Sequence, residues 1–315
     1  MSRSIQARSE EAAPATGVGV VAKRVLGRRL RAIPDLLLAA AAGEGEPVHA
    51  LRVATRRARA ALAAFAELVR AGRSARIAKR LRHLRRAAGE ARDLDLLIER
   101  LRRGGDRDAR DGALAALERD RRGARRPLSR LARKFRGKRW RRGVDRLLAT
   151  IRGRAAREPF ARFSARRLRA IHARFAEAVG RVARGPRRAL PGALHALRIR
   201  GKKTRYATEI LAVHAPAAWR RACLDRLERF QDLTGVYTDH ARAAERLRGL
   251  EHRAGSGARR RACGRLADRE EAAAKRAIAA VVRRLPRLAA SGTVPATGDV
   301  AAPIPERRPN ATPVR

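Results

Sequence analysis

The sequence predicts an all-α protein in which a helical bundle occurs twice, and three observations carry that expectation. Ala, Leu and Arg dominate while β-branched residues are sparse, and apolar positions recur at intervals of three and four, the period of amphipathic helices. Gly and Pro cut the chain into pieces of helical length. The chain also matches itself without a gap at an offset of 146 residues: "HALRVATRRARAAL" from His49 recurs as "HALRIRGKKTRYATEIL" from His195, and "LRHLRRAAGEARDLD" from Leu81 maps onto "LERFQDLTGVYTDHA" from Leu227. An ungapped match over about 45 residues indicates a duplication, so two roughly four-helix units related by a pseudo-twofold axis are expected.

The elements follow in order. Residues 1–19 lack apolar periodicity and are expected to be a disordered tail. The next piece holds the longest apolar run, "IPDLLLAAAAG" at 33–43, well short of the roughly 20 residues a membrane span needs. Breaks at Gly43–Pro47 and Gly72 bound the His49 helix, and the piece from Gly72 to Gly104–Gly105 carries "GEARDLD". Further breaks at Gly123–Pro127 and Gly153–Pro159 complete the first copy, residues 20–153. The second copy, residues 160–290, passes through Gly185–Gly192, the His195 helix, Pro216 and Gly255–Gly257. Residues 291–315, rich in Pro, Gly and Thr, are expected to be a second disordered tail.

Of the 315 residues, 77 are Lys or Arg and 30 are Asp or Glu, a formal charge of +47. So one-sided a charge opposes compaction unless a polyanion offsets it: nucleic acid, an anionic membrane surface or a phosphate polymer. The 45% apolar content is nevertheless enough for a real core. No apolar segment marks a leader or a span, so no membrane partner is expected. The two cysteines, Cys223 and Cys263, have neither metal-ligand spacing nor a disulfide framework, which fits a reducing cytoplasm.

On a helical wheel, Leu51, Ala54, Ala58, Ala61, Leu62 and Phe65 share one face, while His49, Arg52, Arg56 and Arg59 gather on the other within about 80°. The second copy repeats the stripe as His195, Arg198, Lys202 and Arg205. Like charges at this spacing repel, so the arrangement costs helix stability unless an anion lies along it. Pro47 and Pro191 sit near the first helical positions, which places each His close to the positive end of a helix dipole, where phosphate is favoured. Asp93, Asp95 and Asp239 are candidates for pairing with neighbouring arginines or for holding Mg²⁺ in phosphate hydrolysis. The seven histidines have no i,i+3 or i,i+4 partner among themselves, and no metal, cofactor or catalytic residue is expected.

"VHALRVATRRARAAL", "GEARDLDLL" and "LHALRIRGKKTRYATEIL" together resemble the CHAD family, the conserved-histidine α-helical domain, over about residues 20–290. The resemblance implies two related bundles, a basic central cavity lined by both signature helices, binding of inorganic polyphosphate without catalysis, and association with polyphosphate granules. It implies a binding set of His49, Arg52, Arg56, Arg57 and Arg59 with His195, Arg198, Lys202, Lys203 and Arg205. Two departures stand out: Gly201 lies inside a helix, and "GVYTDHA" has no counterpart of Arg92. No strand pattern of a fused triphosphate-processing domain of the CYTH type is visible. A nucleic-acid-associated basic protein is the main alternative, although aromatics, which bases stack on, are only 3% of the chain. A metal-dependent phosphohydrolase is the third.

Overall fold

The computed structural model describes residues 13, 15–42, 45–103 and 107–290. Among them there is no strand, only an isolated bridge between Gly17 and Pro159 that ties the start of the first helix to the middle of the chain. The elements are α1 (Val18–Arg31), α2 (Ile33–Ala42), α3 (Glu46–Ala64), α4 (Ala71–Arg103), α5 (Arg107–Lys134), α6 (Gly137–Leu148), α7 (Arg154–Arg157), α8 (Phe160–Arg184), α9 (Leu190–Leu211), α10 (Ala217–His252) and α11 (Gly257–Ala290). Apart from residues 13 and 15–19, the tails expected at 1–19 and 291–315 lie outside the described residues.

Packing follows the apolar stripes. Helix α3 contacts α2 and α4, α4 contacts α5, and α5 returns to α2; in the same way α9 contacts α8 and α10, α10 contacts α11, and α11 returns to α8. The two rings join where α3 meets α9 and α5 meets α11. The α3 stripe is buried as the wheel predicts, with Leu51, Ala58, Ala61, Leu62 and Phe65 in the core and Ala54 half-buried. Burial of these apolar faces, at roughly 25 cal/mol per Å², offsets the repulsion between the basic faces they leave outside.

Some expected boundaries shift. Gly123–Pro127 does not break the chain: α5 runs straight through Pro127 to Lys134. Its apolar positions Ala113, Leu117, Ala124 and Leu128 stay buried in one register across the proline, so packing outweighs the hydrogen bond that proline removes. The real end falls at Phe135–Arg136, before α6. Gly89 and Gly235 lie inside single helices, α4 and α10, which continue through them.

Gly201 now has a reason. A Cβ there would lie 2.6 Å from Cε1 of the Phe230 ring and 3.4 Å from Phe175, and those two rings pack edge to face with centroids 5.3 Å apart. The glycine allows α9 to approach an aromatic pair that has no room to retreat. Gly201→Ala is therefore expected to lower the melting temperature, because overpacking costs about 1–3 kcal/mol against about 1 kcal/mol gained in helix propensity. Gly123→Ala, with nothing within 4 Å of its Cβ position, is expected to raise it. Thermal melts followed by circular dichroism check the two opposite signs.

Candidate functional site: a basic face between two helices

Helices α3 and α9 each begin with a proline in the first turn, as expected. The starts are earlier than the histidines. The His49 N–H already donates to the Gly45 carbonyl at 3.0 Å, and His195 is the sixth residue of α9. Neither histidine sits at a free helix N-terminus, so what they share is position on the basic faces.

Those faces meet. Lys202 of α9 is held among Arg56, Arg198 and Arg52, and its ammonium is pushed down to about 7, first by burial and then by these three cations, with Asp239 opposing. Burial likewise lowers Arg198, opposed by Asp239 and reinforced by Arg56, Arg242 and Arg52. Arg56 is lowered by burial and by Arg52, with Tyr206 of α9 opposing. His49 and His195 are both lowered, by burial first; Arg92, Arg52 and Arg56 add to this at His49, and Arg242, Arg198 and Lys202 at His195. Residues from α3 and α9 thus share one field of like charge.

Two carboxylates on long helices fix the arginines at the edges of this field. Arg52 donates from one nitrogen to the Gly89 carbonyl and to Asp93 Oδ1, both at 2.9 Å. Arg242, reaching from α10, donates to the other oxygen of Asp93 at 2.9 Å. On the other side Arg198 lies 4.0 Å from Asp239 Oδ1 and passes over Gly235, whose Cβ position is 3.4 Å from the guanidinium. The role of Gly89 and Gly235 is therefore to let a guanidinium lie against the helix. The buried Nε atoms of Arg198 and of Arg85 have no hydrogen-bond partner.

Of the ten residues anticipated, His49, Arg52, Arg56, Arg59, His195, Arg198 and Lys202 belong to this field. Arg59 faces Arg82 and Arg85 of α4, all three without a carboxylate partner among the described residues. Arg57 and Arg205 are engaged elsewhere: both reach the buried carboxylate of Glu209, at 3.7 and 3.3 Å, and Arg205 also reaches Glu228 at 3.1 Å. Arg29 of α1 completes that cluster by donating to the Arg57 carbonyl at 3.1 Å. Lys203 is exposed beside the stripe.

Sequence reasoning missed Arg82, Arg85 and Arg242. The first two lie on the Gly89 face of α4, seven and four residues before that glycine, a signal hidden by the abundance of arginine everywhere else. Arg242 falls outside the internal match, opposite Leu96, and only the packing of α10 brings it to Asp93.

The acidic residues considered for metal binding are spoken for by arginine. Asp93 holds Arg52 and Arg242, and Asp95 accepts from Arg121 at 2.8 Å. Among the described residues no three His, Cys, Asp or Glu side chains converge as a metal site would need. Cys223 and Cys263 are free and buried, and no described helix is long and apolar enough to cross a membrane.

A family model described as the CHAD domain matches residues 24–248. Among solved structures, the crystal structure of the CHAD domain from the plant Ricinus communis is similar at 20% identity, with 91% of this chain and 95% of that one covered and a TM-score of 0.69. PptA from Streptomyces chartreusis is similar at 20% identity, with 86% and 99% covered and a TM-score of 0.57. No curated protein matches the chain.

The field at Lys202 is measurable without any ligand. With lysines isotopically labelled, one side-chain resonance of the free protein is expected to titrate near pH 7 while the remaining lysines titrate far higher. Asp239→Asn, which removes the one attractive charge, is expected to move that midpoint further down. A Lys202 resonance that titrates with the others means that the cations do not converge.

Proposed function

The chain belongs to the CHAD domain family, and from that premise we propose that it binds inorganic polyphosphate on the basic face between α3 and α9. The observation that carries the reading is the field around Lys202, in which Arg52 and Arg56 of α3 and Arg198 of α9 crowd a half-buried lysine with only Asp239 opposing. A protein gains nothing from holding cations this way in the free state; a polyanion laid between the helices turns each repulsion into a favourable contact. The guanidinium groups of Arg198 and Arg85 are not saturated by the protein, since the Nε atom of each is without a hydrogen-bond partner.

We further propose that the chain is an internal duplication whose halves line a basic groove or cavity from both sides. Supporting this, the trio Arg52, Gly89 and Asp93 recurs at the 146-residue offset as Arg198, Gly235 and Asp239, with the same guanidinium-over-glycine arrangement. The rings α2–α5 and α8–α11 are the matching four-helix units. The function is binding rather than catalysis, in the cytoplasm and on polyphosphate granules. Polyphosphate is favoured over nucleic acid because Tyr206, half-buried beside Arg56, is the one aromatic among these basic groups, too few for bases to stack on.

In the test, Lys202→Gln is expected to weaken binding of long-chain polyphosphate at least tenfold while the melting temperature stays or rises, because one of several mutually repelling cations is gone. The triple variant Arg56→Glu, Arg198→Glu, Lys202→Glu is expected to abolish binding at physiological salt with its helical circular dichroism intact. Affinity should fall linearly on a log-log salt plot, and Lys202→Gln should reduce the slope by about 0.7, the increment for one contact to a single-stranded polyanion. Because the bound anion holds Lys202 protonated, binding takes up a proton above pH 7 and weakens as pH rises. Unchanged affinity in the triple variant removes this site, and displacement by duplex DNA at a lower phosphate concentration than by polyphosphate removes the ligand.

A further inference from the structure

Helix α4 carries arginines on two opposite faces. Arg82 and Arg85 face α3, whereas Arg73, Arg76 and Arg80 lie about 120–180° around the helix from them and face α6. There they meet Arg139, Arg142 and Arg146 of α6 across a cleft of about 430 Å³. Both triplets have the spacing i, i+3, i+7, the same as His49, Arg52, Arg56 and as His195, Arg198, Lys202.

No carboxylate lines the cleft, and none of the six guanidinium groups is paired with a carboxylate among the described residues. Elsewhere the chain pairs its arginines freely: Asp145, one residue from Arg146, goes to Arg31 at 2.9 Å. The Nε atom of Arg73 is buried with no hydrogen-bond partner. The wall is fixed as well, since the Trp140 indole N–H donates to the Leu30 carbonyl at 2.8 Å and Val144 and Leu147 are fully buried.

The cleft continues at both ends. Arg80 and Arg139 also line a second cleft with His83 and Arg136, and Arg73 and Arg146 also line a third with Arg70 and Arg152. The one carboxylate there, Glu67, is taken by Arg166 and Arg167 at 2.9 and 2.8 Å. From Arg73 to His83 the groove follows about 15 Å of α4.

We infer that the α4/α6 groove is a second polyphosphate site, so that one chain holds two strands of the polymer on opposite faces of α4. A line of guanidinium groups without carboxylates, five of the six residues exposed and Arg73 half-buried, suits a linear ligand of repeating charge. Nucleobases would need a platform of open ring faces; Trp140 is 1% exposed with its N–H engaged and Phe135 is half-buried against it with centroids 5.4 Å apart, which leaves the His83 imidazole as the exposed ring. The inference rests on the reading of the α3/α9 face for the ligand, but not for the geometry, because α6 lies outside the repeated segment.

Calorimetry with a short polyphosphate, too short to reach around α4, separates the two. The wild type is expected to bind two equivalents. The groove variant Arg139→Glu, Arg142→Glu, Arg146→Glu and the α3/α9 variant Arg56→Glu, Arg198→Glu, Lys202→Glu should each bind one, and their combination none. A charge-matched control, Arg119→Glu, Arg122→Glu, Arg126→Glu on the exposed face of α5, should keep two. With long-chain polymer the wild type should raise light scattering by bridging strands, and the groove variant should not.

If the groove variant retains the wild-type stoichiometry, or loses no more than the α5 control, the second site is wrong and the α3/α9 reading stands. If the groove variant alone loses binding, the groove stands and the α3/α9 reading falls. Preferential filling of the groove by short duplex DNA overturns its assignment to polyphosphate.

Discussion

The structure depends on repulsion that is contained rather than removed. Two basic helices, α3 and α9, are pressed together by their apolar faces, and the cations between them have no room to separate. Two acidic groups bound the field. Asp93 draws Arg52 and Arg242 to one side, and Glu209, only 7% exposed, draws Arg57 and Arg205 to the other. Between these ties Arg56, Arg198 and Lys202 are left crowded, and the Lys202 ammonium is lowered first by burial and then by Arg56, Arg198 and Arg52. An apolar core of this size tolerates such a cost where a smaller domain could not.

Much of this was legible in the sequence, and the reason is periodicity. The signature stripes are written at three- and four-residue spacing, and a helix turns such spacing into a face whatever the surroundings. The all-α class followed from the same signal. What stayed hidden depends on partners. Nothing local distinguishes Arg57, tied to Glu209, from Arg56, left in the field, since the two are adjacent and chemically identical. Pro127 read as a break because its local cost is real, and only the burial of Leu128 beyond it reverses the outcome. Gly201 looked anomalous until Phe230 stood against it.

On the proposed duplication, the two halves share an architecture while differing in charge. Arg82, Arg85, Arg86 and Arg92 of α4 correspond to Glu228, Gln231, Asp232 and Thr238 of α10. The first half therefore contributes a basic second wall behind its stripe, and the second half a neutral or acidic one; Glu228 takes Arg205 where Arg82 only repels Arg59. The exchange extends into the core, where Thr55 and Leu84 correspond to Gly201 and Phe230, a loss of volume on one helix matched by a gain on the other. A ligand on this face meets a graded field, strongest over α3 and α4.

That gradient gives α4 a particular place. It forms the basic wall of the α3/α9 face on one side and the wall of the α6 groove on the other, so the excess of arginine on a single helix serves two surfaces. A polymer segment bound on either face lies within about one helix diameter, 10–12 Å, of the other. On the two-site reading proposed above, each bound strand lowers the attraction that its neighbour feels, because the potential acts through the helix as well as across its surface. The two faces are then coupled even if neither moves. Filling one partly neutralises α4 and weakens the pull on a second strand, so binding is tightest for the first strand and looser for the next, an ordering that suits a protein meant to hold one chain firmly while it gathers others.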